Sequence, residues 1–197
     1  MSRSVREYFS RFADYVRSVE GSGADGAPLE AAEAVGAAAA LARERTGAGG
    51  KVFFIGNGGS AAIASHMATD WAKNGGVRAM AFNDGSLLTC LSNDYGYPHV
   101  FEKPIELFGD PGDLLFAISS SGRSENILRG VEAARARGIA VVTLSGFDPD
   151  NPLRRLGQVN LWVPAHGYGP VEVIHHALCH AVLDAFMEAA GRAPGCD

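Results

Sequence analysis

Five short apolar runs, "KVFFIG", "VRAMAF", "DLLFAIS", "IAVVTLSG" and "LWVPA", alternate with stretches of helical character, and that alternation limits the fold more than anything else in the chain. Each run is apolar at consecutive positions, so both faces of the strand it forms must be covered. That is the pattern of a parallel sheet with helices on both sides. The helical stretches are "SAAIASHMATDWAKN", segments near Leu87–Asn93 and Val100–Leu107, "SENILRGVEAARARG" stopped by Gly138, and "PVEVIHHALCHAVLDAFMEAAG" with Pro170 near its first turn. Ahead of them, Val5, Phe9, Phe12, Tyr15, Val16 and Val19 recur at helical spacing, which predicts an amphipathic helix over the first twenty residues. "GSGADGAP" is a flexible break, and an Ala-rich helix follows from about Leu29 to Arg45, ended by "GAGG". The expectation is a single three-layer, doubly wound α/β domain over 1–197, with a helical pair at 1–48, an α/β core at 49–192 and a loose "RAPGCD" tail.

Apolar residues make up 47% of the 197 and suffice for such a core. The net charge of −5 argues against general binding to nucleic acid or anionic lipid. It leaves room for an anionic ligand, because backbone N–H groups can hold one without a nearby cation. Cys90, Cys179 and Cys196 stand at unrelated spacings, so neither a full disulfide framework nor a CxxC metal pattern is present. The charged, amphipathic start lacks the apolar stretch of a secretion signal, and no apolar stretch is long enough to span a membrane. A cytoplasmic protein with reduced thiols is expected.

Two strand ends are unusual. One carries Gly56-Asn57-Gly58-Gly59-Ser60 and the other Ser119-Ser120-Ser121-Gly122-Arg123-Ser124, each just before a helix. Ligands of open parallel sheets bind beyond the carboxyl ends of the strands. Hydroxyls, free N–H groups and the helix dipole there favour an anion. Each loop alone is also explained as a turn with Ser60 or Ser124 as helix cap. Two at one sheet edge favour an anion site. Neither GxxxxGK[ST] nor GxGxxG occurs, so a phosphate carried on a small molecule fits better than a nucleotide cofactor.

His66 and Asp70 stand four apart on the helix after the first loop, and therefore share a face. In "EVIHHALCH", Glu172, His176 and His180 lie on roughly one face, with His175 turned away. Such acid–base groups cluster at active sites. The plainer account is a helix-stabilising pair at 66 and 70 and ordinary surface or core histidines.

"IGNGGSAA…SH", "LSNDYGY", "FAISSSGRSENIL" and the late "GYG…EVIHHALCH" together resemble the sugar isomerase (SIS) fold, and within it the phosphoheptose isomerases, over nearly the whole chain. The resemblance implies a five-stranded parallel sheet, a homotetramer, and interconversion of sedoheptulose 7-phosphate and a glycero-manno-heptose 7-phosphate for heptose biosynthesis. It implies a substrate site at Asn57, Gly58, Ser60, Asp94, Ser119, Ser120, Ser121 and Ser124. It implies catalytic or zinc-binding roles for His66, Asp70, Glu172 and His180. The chain departs from the pattern at three of these places: Asp70 stands where Glu is usual, Glu172 where Gln is usual, and Gly169 where Asp is frequent. The segment from Asp70 to Asp94 is also shorter.

An aldose–ketose isomerase lifts a proton from the carbon beside a carbonyl and returns it to the neighbour. Asp70 or Glu172 is the candidate base and His180 the partner acid. The same four side chains make a plausible zinc set. Two rival readings stay open: a non-catalytic SIS-fold sugar-phosphate sensor or regulator of the replication initiator, and an isomerase of another sugar phosphate.

Overall fold

The computed structural model describes residues 4–191. The "RAPGCD" tail, with Cys196, lies outside the described residues. Helix α1 (Val5–Arg17) opens on a reciprocal cap in which the Ser4 hydroxyl accepts the Glu7 N–H and the Glu7 carboxylate accepts the Ser4 N–H. Two short strands, β1 (Glu20–Gly23) and β2 (Pro28–Glu30), follow before α2 (Ala31–Gly47). The "GSGADGAP" stretch expected as a flexible break is thus a hairpin. Its strand β1 pairs antiparallel with a strand far along the chain, Glu20 opposite Trp162 and Gly23 opposite Val159. Local sequence could not signal this, because the partner that orders those small residues is nonlocal.

The alternating core is β3 (Val52–Gly56), α3 (Gly59–Lys73), β4 (Ala79–Ala81), α4 (Gly85–Tyr95), α5 (Glu102–Phe108), β5 (Leu114–Ser119), α6 (Glu125–Ala136), β6 (Ala140–Gly146), β7 (Val159–Val163) and α7 (Tyr168–Ala189). The sheet order is β2-β1-β7-β6-β5-β3-β4. The five strands from β3 to β7 are mutually parallel, as expected. The hairpin adds two antiparallel strands at one edge, so the sheet has seven strands rather than five.

Alternation along the strands builds two cores. Phe54, Phe116, Val142 and Leu161 face one layer, where α2, α3 and α7 pack with Ala38, Trp71 and Ile174. Phe53, Ile55, Leu115 and Val141 face the other, under α4, α5 and α6. This is why each run is apolar at every position. Among the described residues no helix is long and apolar enough to cross a membrane.

Cys179 is buried in the first core, and burial pushes its thiol up to about 12, whereas Cys90 is exposed. In a Cys196→Ser background, one thiol per chain should react promptly with a disulfide reagent, and the second only after denaturation. Prompt modification of both would contradict the packing of α7.

Candidate active site

The strand β3 ends at Gly56, and Gly58 turns the chain into α3 with φ 55°, a conformation side-chain-bearing residues avoid. Because β5 pairs directly with β3, Gly56 opposite Ile118, the serine loop after β5 lies beside this turn. The two loops line one cavity of about 240 Å³, with Asn57, Gly58, Ser60, Ser119, Ser120, Ser121 and Ser124 on its wall. Tyr168 and Glu172, from the start of α7, close the side opposite. Among the described residues no Lys or Arg lines this cavity. An anion there is met by hydroxyls and the start of α3, the arrangement that suits a sugar-borne phosphate. Asn57 is held rigidly: its carboxamide exchanges two 2.9 Å hydrogen bonds with Asn126 and accepts another from the Tyr97 hydroxyl at 2.9 Å.

Around the corner, α3 and α7 bring a second group together. Asp70 Oδ2 lies 3.2 Å from His66 Nε2 and 3.9 Å from His180 Nδ1. The His176 ring stands edge-on to His66, centroids 4.6 Å apart, and 4.8 Å from the His180 ring. Ligand atoms of His66, His176 and His180 all come within 4.8 Å of one another, close enough to hold a metal ion. His176 Nε2 is buried and has no hydrogen-bond partner among the described residues. Burial, with His180 and His66 nearby, holds its pKa below the usual imidazole value.

Glu172 joins the two halves. It lines the phosphate-loop cavity and also the groove with His176 and His180. A Cβ at position 59 would stand on the Glu172 carboxylate, so that carboxylate lies directly over the first turn of α3. The positive end of the helix dipole favours an anionic group there.

The structure therefore gathers His66, Asp70, His176 and His180 between α3 and α7, and sets Glu172 on the border of both that group's groove and the cavity of the two loops. It does not bring Asp94 to the cavity wall: Asp94 is exposed on α4, accepting the Asn93 side-chain amide at 2.8 Å. His175 is turned away, as expected from the helix face. It is fully buried, donates from Nε2 to the Ser145 carbonyl at 2.9 Å, and is held down to about 4 by burial. Sequence reasoning missed Tyr97, Asn126 and Tyr168, and placed His176 on the right face without giving it a role. For Asn126 a signal existed, an amide one step into the helix after the serine loop. For Tyr97 none did, since forty residues separate it from Asn57.

The SIS domain family matches residues 14–146. A phosphoheptose isomerase of Tolumonas auensis is 39% identical over 163 residues, 80% of this chain and 84% of that protein. The phosphoheptose isomerase GmhA from Neisseria gonorrhoeae superposes with a TM-score of 0.78 at 33% identity, covering 92% of this chain and 97% of that one. A phosphoheptose isomerase from Francisella tularensis has the same TM-score of 0.78 at 26% identity, over 92% and 95%.

Proposed function

Since this chain belongs to the SIS domain family and, within it, to the phosphoheptose isomerases, we propose that it interconverts sedoheptulose 7-phosphate and D-glycero-D-manno-heptose 7-phosphate for heptose biosynthesis. The observation that carries the assignment of roles is the position of Glu172 on the wall shared by the phosphate loops and the histidine groove. A sugar whose phosphate is held by Ser60, Ser119, Ser120, Ser121 and Ser124 extends its other end past Glu172 toward His180. Phosphate binding far from the reacting carbons supplies orientation, which lowers the barrier without taking part in the chemistry.

In that pose the Glu172 carboxylate takes a proton from C1 of the ketose. The electron pair forms the C1–C2 double bond of an enediolate as charge moves onto O2. Glu172 then returns the proton to C2, while His180 relays a proton from O1 to O2, giving the aldose. Each such group contributes roughly 10²–10⁴-fold. Asp70, engaged with His66 and facing His180, holds the imidazoles rather than touching substrate. Of the two carboxylates the sequence offers as base, this reading takes Glu172, because it alone borders both the serine-loop cavity and the histidine groove.

The donor set also fits a divalent cation. His66 and His180, with Asp70 and Glu172 adjacent, offer the nitrogen and oxygen ligands zinc takes, and the unpartnered His176 Nε2 leaves a lone pair unused. What a zinc ion supplies there, when bound, is polarisation of the sugar carbonyl.

The exposed face of α1, with Val5 72% and Phe9 63% accessible, supports burial between subunits of a homotetramer. The test of function is conversion of sedoheptulose 7-phosphate by the purified protein, chelator-treated and zinc-restored, beside unphosphorylated sedoheptulose. Turnover of the phosphate ester alone is the expected result. Saturable binding of the ester with no turnover in either metal state would overturn the isomerase reading.

A further inference from the structure

The three-imidazole cluster suggests a different division of labour around the cation from the one implied by the family pattern, and this rests on the isomerase reading above. We infer that a divalent cation of the zinc class is held here by His66, His176 and His180, with Asp70 beside His66 and His180 as a positioning carboxylate and Glu172 left out of the coordination shell. Three observations support it.

First, the ligand atoms of these three histidines come within 4.8 Å of one another, and neither Asp70 nor Glu172 belongs to that group. Tetrahedral zinc with Zn–N bonds of about 2.05 Å needs nitrogens roughly 3.4 Å apart, a contraction that small side-chain rotations supply. Second, His176 Nε2 is buried without a partner, an arrangement that costs free energy unless something accepts its lone pair. Third, Asp70 Oδ2 sits 3.2 Å from Nε2 of His66 and 3.9 Å from Nδ1 of His180, so one carboxylate faces both rings. A carboxylate that orients a ligating imidazole in this way is a recurrent feature of metal sites.

The same arrangement accounts for two departures of this chain at once. Asp at position 70, one methylene shorter than Glu, stands beside the rings of His66 and His180 and outside the three-histidine group. The ligand it gives up is replaced by His176. Glu172, free of the metal, keeps its carboxylate over the first turn of α3, beside the phosphate loops, where a base is needed.

The experiment titrates Co²⁺ and Zn²⁺ into the chelator-stripped full chain and into His176→Leu and Glu172→Gln variants. Co²⁺ absorption bands report coordination, and sedoheptulose 7-phosphate turnover is measured in parallel. Wild type should bind one Co²⁺ per chain with the intense visible bands of a tetrahedral site. His176→Leu should lose at least about 100-fold in affinity, and Glu172→Gln should bind like wild type. Unchanged melting and retained inorganic phosphate binding would show that His176→Leu is folded; if it is not, His176→Gln, which keeps a polar side chain but no imidazole, gives the same readout. Co²⁺ affinity unaffected by loss of the 176 imidazole overturns the inference, as does a loss confined to Glu172→Gln. Failure of wild type to bind metal while the stripped protein turns over also overturns it, and leaves the isomerase reading standing. Metal binding as described with no turnover leaves the site standing and removes the isomerase reading.

Discussion

Glu172→Gln is expected to lower kcat for sedoheptulose 7-phosphate by about 10²–10⁴-fold while leaving KM within a few-fold of wild type. The asymmetry follows from where the two jobs are done. On the proposed reading, ground-state binding rests chiefly on the hydroxyls of Ser119, Ser120, Ser121 and Ser124, which the substitution leaves in place. The amide keeps the size of the side chain but removes its negative charge and its ability to take a proton. Asp70→Asn should be milder, about 10–100-fold, because it weakens the hold on His66 and His180 without removing a group that meets substrate. The double substitution Asp70→Glu with Glu172→Gln recreates the usual family pattern at both positions. Full activity of Glu172→Gln alone would transfer the base to position 70, and activity regained in the double variant would show that the two positions exchange the role.

Gly59→Ala should separate catalysis from folding. The new methyl group falls on the Glu172 carboxylate, the far end of a flexible side chain, so the protein can yield by swinging that carboxylate aside. Alanine is preferred to glycine within a helix by about 0.5–1 kcal/mol, and position 59 opens α3, so thermal stability should be unchanged or slightly higher. Activity should fall about 100-fold, the consequence of moving a catalytic group by an ångström or so. Paired kcat and melting measurements decide it. A variant as active as wild type would mean that the carboxylate does not work from its place over the helix start. A variant that unfolds would mean that the close packing of α3 and α7, rather than Glu172, excludes the side chain.

The parts of this molecule that follow local rules could be recognised from the sequence. The five parallel strands and their helices were legible because burial on both faces leaves an uninterrupted apolar run, and helices show their own period. The loops at Gly56–Ser60 and Ser119–Ser124 were legible because glycine and serine after a strand have few other uses. The pairing of His66 with Asp70 followed from helical spacing, and the structure has the two 3.2 Å apart.

The hairpin at 20–30 was not legible, since its order comes from pairing with β7 some 140 residues away in sequence. Nor was the Asn57–Asn126–Tyr97 network, whose members come from three separate elements.

Period and composition by themselves determined which residues lie inside, which loops end strands at the carboxyl edge of the sheet, and which pairs share a helix face. These depend on interactions between near neighbours in the chain, whose geometry is the same in every helix or strand. Only the tertiary structure decided that α3 meets α7 so that His66 faces His176 and His180, that Glu172 borders both the serine-loop cavity and the histidine groove, and that Asp94 stays off that cavity's wall. Those relations depend on how two helices cross over a shared sheet. The crossing is set by the packing of the whole core, and no window along the chain contains it.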